Sequence, residues 1–314
     1  MVMLDVIDVK ILNEFYRNAR ISYRELAKRV GLSTTAVMKR VNSLMDAGTI
    51  REFVVMPSHA MIGAERFWAL IHTDGSEDEE NLADSLGSLP EVHAVIRLVS
   101  PRGRSYLLYG NYIGSIRLSE IAAYFRRLDG VEEVELHNVI ANWMRVSNWG
   151  RGEKMELTKQ HLLALKSLKQ NPRIQVKELS DETGLSLRKA RRLLREIEDS
   201  GAFYFMARTD PMTEGPTFRV KMRLTDNEID PSELLSSMQD ICGEHTYGLG
   251  FSVTEPIAFS LTVGVDVLQM QRMFLAIERL PFVAAATPLM VLTYRAYPHL
   301  NQHKLDEILE GLTN

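Results

Sequence analysis

One stretch of this chain occurs twice. Arg-Ile-Ser-Tyr-Arg-Glu-Leu-Ala begins at Arg20, and Arg-Ile-Gln-Val-Lys-Glu-Leu-Ser begins at Arg173, 153 positions later. At the same spacing and without a gap, Glu25 meets Glu178 and Leu26 meets Leu179. Gly31, Leu32 and Ser33 meet Gly184, Leu185 and Ser186; Asp46 meets Asp199 and Gly48 meets Gly201. A match of this length that keeps a turn in register implies a duplicated unit, so the fold must be one that can be built twice in 314 residues.

Charge follows the duplication. The chain carries −4 overall, which taken alone argues against a nucleic-acid partner. Residues 1–56 carry +3, 57–156 carry −5, 157–208 carry +5 and 209–314 carry −7. Two short basic blocks between acidic ones are what a two-headed binder of a polyanion shows. One cysteine, Cys242, excludes an intrachain disulfide framework and a zinc site built on cysteines. The start of the chain lacks the basic and apolar regions of a secretory signal, and no apolar run reaches the roughly 18 residues of a membrane helix. A cytoplasmic protein without membrane contact is expected.

In the first basic block, Ile7, Ile11, Leu12 and Phe15 recur at helical spacing over 5–18. Residues 23–30 read as a short second helix with Leu26, Ala27 and Val30 inward. Gly31 supplies the left-handed backbone that ends it, and Ser33 caps a third helix over 34–47 with Val37, Val41, Leu44 and Met45 inward. Residues 49–56 alternate like a strand, the expected wing. This order is a helix-turn-helix, whose third helix enters the major groove. Ser33, Thr34, Thr35, Met38, Lys39 and Asn42 are the candidate base-facing residues, because hydroxyl, amide and ammonium groups pair with base edges and apolar atoms touch thymine methyls. Arg40, Arg51 and Lys28 are the candidate phosphate contacts.

The second basic block repeats the pattern. Thr158 caps a helix striped by Leu162, Leu165 and Leu168, a short helix over 176–183 follows, and Gly184 and Ser186 stand at turn and cap. The third helix, 187–200, buries Ala190, Leu194 and Ile197. Outside it bears Arg188, Lys189, Arg191, Arg192 and Arg195. Five cations on one helix repel unless a polyanion is near, although Glu196 and Glu198 can also lace such a face into solvent. Unequal roles are expected: sequence discrimination from the first unit, phosphate attraction from the second.

The acidic blocks each read as βαββαβ. The first has strands over 65–74, 92–99, 105–111 and 131–142 with helices over 77–89 and 115–128. The second has strands over 218–224, 247–253, 257–263 and 283–294 with helices over 231–242 and 267–279. Each sheet presents an apolar face that the other sheet or a second chain must cover. Residues 299–312 read as an amphipathic tail helix. The domains expected are 1–56, 57–150, 157–208 and 209–298, with a tail over 299–314, in an α+β tandem repeat of winged helix-turn-helix and ferredoxin-like units.

Leu4-Asp5, Ile11-Leu12, Arg20-Ile21-Ser22, Glu25-Leu26-Ala27, Gly31-Leu32-Ser33, Arg40-Val41, Leu44, Ala47-Gly48 and Ile50 closely resemble the DNA-binding domain of Lrp/AsnC (feast/famine) regulators. The βαββαβ block is similar to their effector-binding and oligomerisation domain. Ordinary members carry one copy of each; a fusion of two resembles the tandem form found among archaeal members. The resemblance implies transcription regulation on double-stranded DNA, a homodimer through the α/β domains, and often a small effector such as an amino acid. The family's hairpin loop reads glycine, any residue, aromatic, aspartate. Gly103 fits, Ser105 and Tyr106 depart, and the second copy has Thr254-Glu255-Pro256 without glycine. Arg102 and Arg104 stand ready to grip an anionic effector, which makes Arg102, Gly103, Arg104 and Tyr106 the candidate effector residues.

A related group of this architecture decarboxylates a sirohaem-type tetrapyrrole, a reading for which His93, His137 and Arg97 are the available residues. A DNA-architectural or interaction protein without effector sensing is the third. No nucleophile elbow, phosphate loop or dinucleotide fingerprint occurs. His299 and His303, four apart, lack the glutamate of a zinc helix. No enzyme, cofactor or metal is expected.

Overall fold

A computed structural model of the chain describes residues 4–143, 152–210, 212, 217–225, 229–243, 246–262 and 266–311. The first copy runs α1 (Val6–Arg17), α2 (Tyr23–Val30), α3 (Thr34–Asp46), β1 (Ile50–Pro57), a single turn α4 (His59–Ile62), β2 (Glu65–Thr73), α5 (Glu79–Gly87), β3 (Val92–Ser100), β4 (Gly103–Tyr112), α6 (Ser115–Phe125) and β5 (Val131–Trp143). The second runs α7 (Lys159–Gln170), α8 (Val176–Thr183), α9 (Leu187–Asp199), β6 (Phe203–Thr209), β7 (Phe218–Leu224), α10 (Pro231–Cys242), β8 (Thr246–Ser252), β9 (Ile257–Thr262), α11 (Val267–Glu278) and β10 (Val283–Ala296), and α12 (Leu300–Glu310) follows. The first three helices of the two copies start and stop 153 residues apart, as the repeat demands. Their ends are set by the same devices. Asp5 and Thr158 form capping boxes with Asp8 and His161, and Asn18 and Asn171 end the first helix in extended backbone.

The chain gathers into two compact units. One holds β2 to β5 and β7 to β10 with their helices. Each half keeps the ferredoxin-like order, β5-β2-β4-β3 and β10-β7-β9-β8, and the halves close on one another through β5–β8 and β10–β3 into an eight-stranded barrel. The seams are antiparallel, with Val139 opposite Ser252 and Tyr294 opposite Ile96. Outside, α5 and α6 cover Phe67, Ala69, Ile71, Leu108 and Tyr112, while α10 and α11 cover Phe218, Val220 and Met222. Inside, Trp68, Leu70, Ile96, Leu107, Phe259 and Leu289 make a separate core. The strand expected over 65–74 is buried on both faces from Phe67 to Thr73, and the unbroken run Phe67 to Ile71 is its signature.

A polar network lies among these strands. Glu135 on β5 faces Lys221 on β7 and lies 3.5 Å from His72 Nε2; His72 and His137 in turn each hydrogen-bond a serine hydroxyl at 2.9 Å, Ser105 and Ser252 respectively. Burial alone would raise the Glu135 carboxyl, but hydrogen bonds from His137, His72 and Lys221 outweigh it and hold the group far below the usual carboxylate range.

The other unit holds the two three-helix segments, β1, β6 and α12. The strand expected as the first wing finds its partner in the second copy. β1 and β6 pair antiparallel, with Val54 opposite Met206 and Met56 opposite Tyr204. Helix α12 falls where the tail helix was expected. Leu305 is buried among Leu165, Leu168, Ile174 and Phe205, and the Asn301 amide donates to the Pro57 carbonyl at 2.8 Å.

Candidate nucleic-acid interface

In the first head, Ser22 caps α2, Gly31 ends it at φ 73°, and the Ser33 hydroxyl accepts from the Ala36 amide at 3.2 Å to start α3. Val37, Val41 and Leu44 turn into a core with Ile11, Leu12, Phe15 and Leu26. That burial fixes the helix's rotation, and it leaves Ser33, Thr34, Thr35, Met38, Lys39 and Asn42 exposed along one outer face. Met38, an apolar side chain, is 44% exposed.

The second head repeats this frame. Gly184 ends α8 at φ 67°, Ser186 caps α9, and Ala190, Leu193, Leu194 and Ile197 are buried. Ser186, Leu187, Arg188, Arg191, Arg192 and Arg195 are exposed, and Lys189 half-exposed. Arg192 lies 3.3 Å from Glu196. Arg188, Arg191 and Arg195 make no ion pair among the described residues.

Two candidate phosphate contacts stand elsewhere than the sequence suggested. Arg40 bonds Asp5 and Asp8 at 2.8 Å each, which pushes its guanidinium up and ties α3 to the start of α1. Arg51 pairs with Asp210 across the β1–β6 ribbon. Both charges are met within the protein and serve the fold. Lys28 remains 70% exposed with Glu25 at 3.9 Å.

The heads are joined by a reciprocal clamp that sequence reasoning missed. The Arg20 guanidinium donates to the carbonyls of Pro172 and Ile174; Arg173 donates to those of Ala19 and Ile21. These acceptors are the same two positions, 153 apart, so the clamp has local two-fold symmetry. Arg173 also lies over the rings of Tyr23, Phe53 and Phe15 at 4.8, 5.1 and 5.2 Å, and Arg20 over Phe205 at 5.6 Å. Burial pushes the Arg173 guanidinium down, whereas Arg20 gains Glu198 as an ion partner. A signal existed: among the basic residues of the first head, only Arg20 falls on an identical residue in the second.

The candidate effector residues lie in the barrel unit. Gly103 turns the β3–β4 hairpin at φ 95°. Arg102 pairs with Glu133, and Arg104 faces Glu79 at 3.6 Å and Glu77 at 3.9 Å. Tyr106 is 1% exposed and its hydroxyl has no hydrogen-bond partner among the described residues. It lines a cavity of about 100 Å³ with Arg97, Arg295, Glu79, Glu80 and Thr293. His137 packs on Trp68, and His299 stacks on His93 beside Asn111. No group of three or more metal-binding side chains occurs among the described residues, and no described helix is long and apolar enough to cross a membrane.

A family profile for winged helix-turn-helix DNA-binding domains matches the chain at residues 4–51 and again at 157–202. The fold and the twin exposed helices thus define a DNA-binding protein. The proline dehydrogenase transcriptional activator of Rhodobacter capsulatus is 31% identical over 141 residues, 44% of this chain and 86% of that protein. The leucine-responsive regulatory protein of Haemophilus influenzae is 43% identical over 61 residues, 19% of this chain and 37% of that one. The chain belongs to the Lrp/AsnC family of transcription regulators, with its DNA-binding segment present twice. Over its whole length it shares a fold with the siroheme decarboxylase NirDL, at TM-score 0.55 and 13% identity, covering 98% of this chain and all of that one.

Proposed function

We propose that this protein regulates transcription in the cytoplasm by binding double-stranded DNA as an internal dimer, two heads on one polypeptide. The pairing for which the family resemblance implied a second chain is supplied by the duplicated half. Base edges meet Ser33, Thr34, Thr35, Met38, Lys39 and Asn42; phosphates meet Ser186, Arg188, Lys189, Arg191, Arg192 and Arg195. The single observation that carries this reading is the pair of equivalent helices, α3 and α9, whose outer faces are exposed while their inner faces are locked into matching cores.

The cavity beside Tyr106, where Glu79 and Glu80 stand with Arg97 and Arg295, is the candidate seat of a small effector with both an acid and a basic group; its charges pair with one another, as those of the Arg102–Arg104 turn pair with Glu133, Glu77 and Glu79. The tetrapyrrole reading draws on fold likeness alone. His137 is 2% exposed and hydrogen-bonded to Ser252, so it is read as a packed residue and not a catalytic one.

The test is retardation of duplex DNA across a salt series. Affinity falls with rising salt, with about 0.9 of log–log slope for each phosphate neutralised. Retardation that is absent, or unaffected by salt, overturns the proposal.

A further inference from the structure

We infer that the DNA site of this protein is polar: one half is read base by base, the other is held by its backbone, and the site has a direction. This rests on the DNA-binding reading above and adds the form of the target. Helices α3 and α9 are both thirteen residues long, both start directly after a capping serine, and lie 153 positions apart. Their outward positions can therefore be compared one to one. Thr34 is matched by Leu187, Thr35 by Arg188, Met38 by Arg191, Lys39 by Arg192 and Asn42 by Arg195. At four successive outward positions the first head presents threonine, methionine, lysine and asparagine, and the second presents arginine at every one.

These sets do different chemistry. Asparagine and threonine are short, fix hydrogen-bond direction, and discriminate base edges. A face dominated by arginines, three of them without an ion pair among the described residues, answers first to the phosphate charge, which is the same at every sequence. The clamp makes the difference matter. In a homodimer the two reading helices are identical, so the preferred site is a palindrome. Here Arg20 and Arg173 hold two unlike heads against each other through reciprocal backbone hydrogen bonds, and β1 and β6 pair along their length. One chain therefore delivers one base-reading head and one phosphate-gripping head together. Inverting the site relative to the transcription start inverts the protein.

The test is selection from random duplexes with the full chain, beside a second full chain whose five compared outward positions are made alike by Leu187→Thr, Arg188→Thr, Arg191→Met, Arg192→Lys and Arg195→Asn. All five positions are exposed, so folding is retained and is checked by circular dichroism. The natural chain is expected to select a motif with sequence information on one side only. Single base changes there weaken binding roughly tenfold or more, against less than about threefold on the other side. The variant is expected to select a motif with two-fold symmetry and equal information in both halves. A palindromic motif from the natural chain, or a one-sided motif from the variant, overturns the inference while leaving DNA binding intact. Failure of the natural chain to retain any duplex overturns the DNA-binding reading itself.

Discussion

Replacing Arg173 by methionine tests whether the clamp holds the heads together. Methionine keeps much of the stem's volume but donates nothing. The change removes the hydrogen bonds to the Ala19 and Ile21 carbonyls and the stacking on Phe15, Tyr23 and Phe53. Hydrogen bonds from a charged donor contribute about 1.5–3 kcal/mol each, and the ring contacts add about 1 kcal/mol. Burial of the guanidinium, which pushes its pKa down, is a cost that the substitution relieves. The net loss expected is therefore about 3 kcal/mol, near a hundredfold in the folded population. Urea unfolding followed by far-UV circular dichroism reads it on the transition of the helical unit, with Arg24→Met, an exposed arginine of the first head, as the control. DNA affinity is expected to fall with it, because the heads are held less firmly in one arrangement. A loss below about 1 kcal/mol, or an equal loss from the Arg24 change, refutes the clamp.

Changing Arg188, Arg191 and Arg195 together to glutamine is expected to weaken binding to all duplexes alike and to flatten the salt slope by about 2–3, as read by fluorescence anisotropy. Gly87→Ala places a Cβ 2.0 Å from Tyr297 Cζ, so the ring must move and the 3.0 Å bond from its hydroxyl to the Ala83 carbonyl is lost; the barrel unit is expected to lose about 2–4 kcal/mol on denaturation. The Glu135 carboxyl is depressed in the fold, so it adds stability above its unfolded pKa of about 4.3 that is lost as pH falls below that value. Glu135→Gln is expected to lower stability at neutral pH and to flatten the acid limb of the stability–pH curve measured by thermal unfolding.

Much of this was legible in the residues. Capping serines, left-handed glycines and apolar stripes are local signals, and they place six helices of the two heads to within a residue or two. The βαββαβ order was legible for the same reason. Barrel closure was not, because the pairing of β5 with β8 and β10 with β3 joins segments roughly a hundred or more residues apart and no local preference encodes it. The clue lay in Phe67 to Ile71, apolar on both faces. The ribbon of β1 with β6 escaped likewise: a strand ending a helix-turn-helix does not say which strand it will meet. Arg40 looked like a phosphate contact because its helix neighbours are readers, yet Asp5 and Asp8, some thirty residues earlier, take its charge.

The central claim is that one chain grips one duplex with both heads. Native mass spectrometry of the complex with a selected duplex, paired with hydroxyl-radical footprinting of the same sample, measures it directly. The account predicts one polypeptide per duplex and two protected stretches, of which only the one at the α9 end persists on unrelated sequence. Two polypeptides on each duplex, or a single protected stretch, contradicts it.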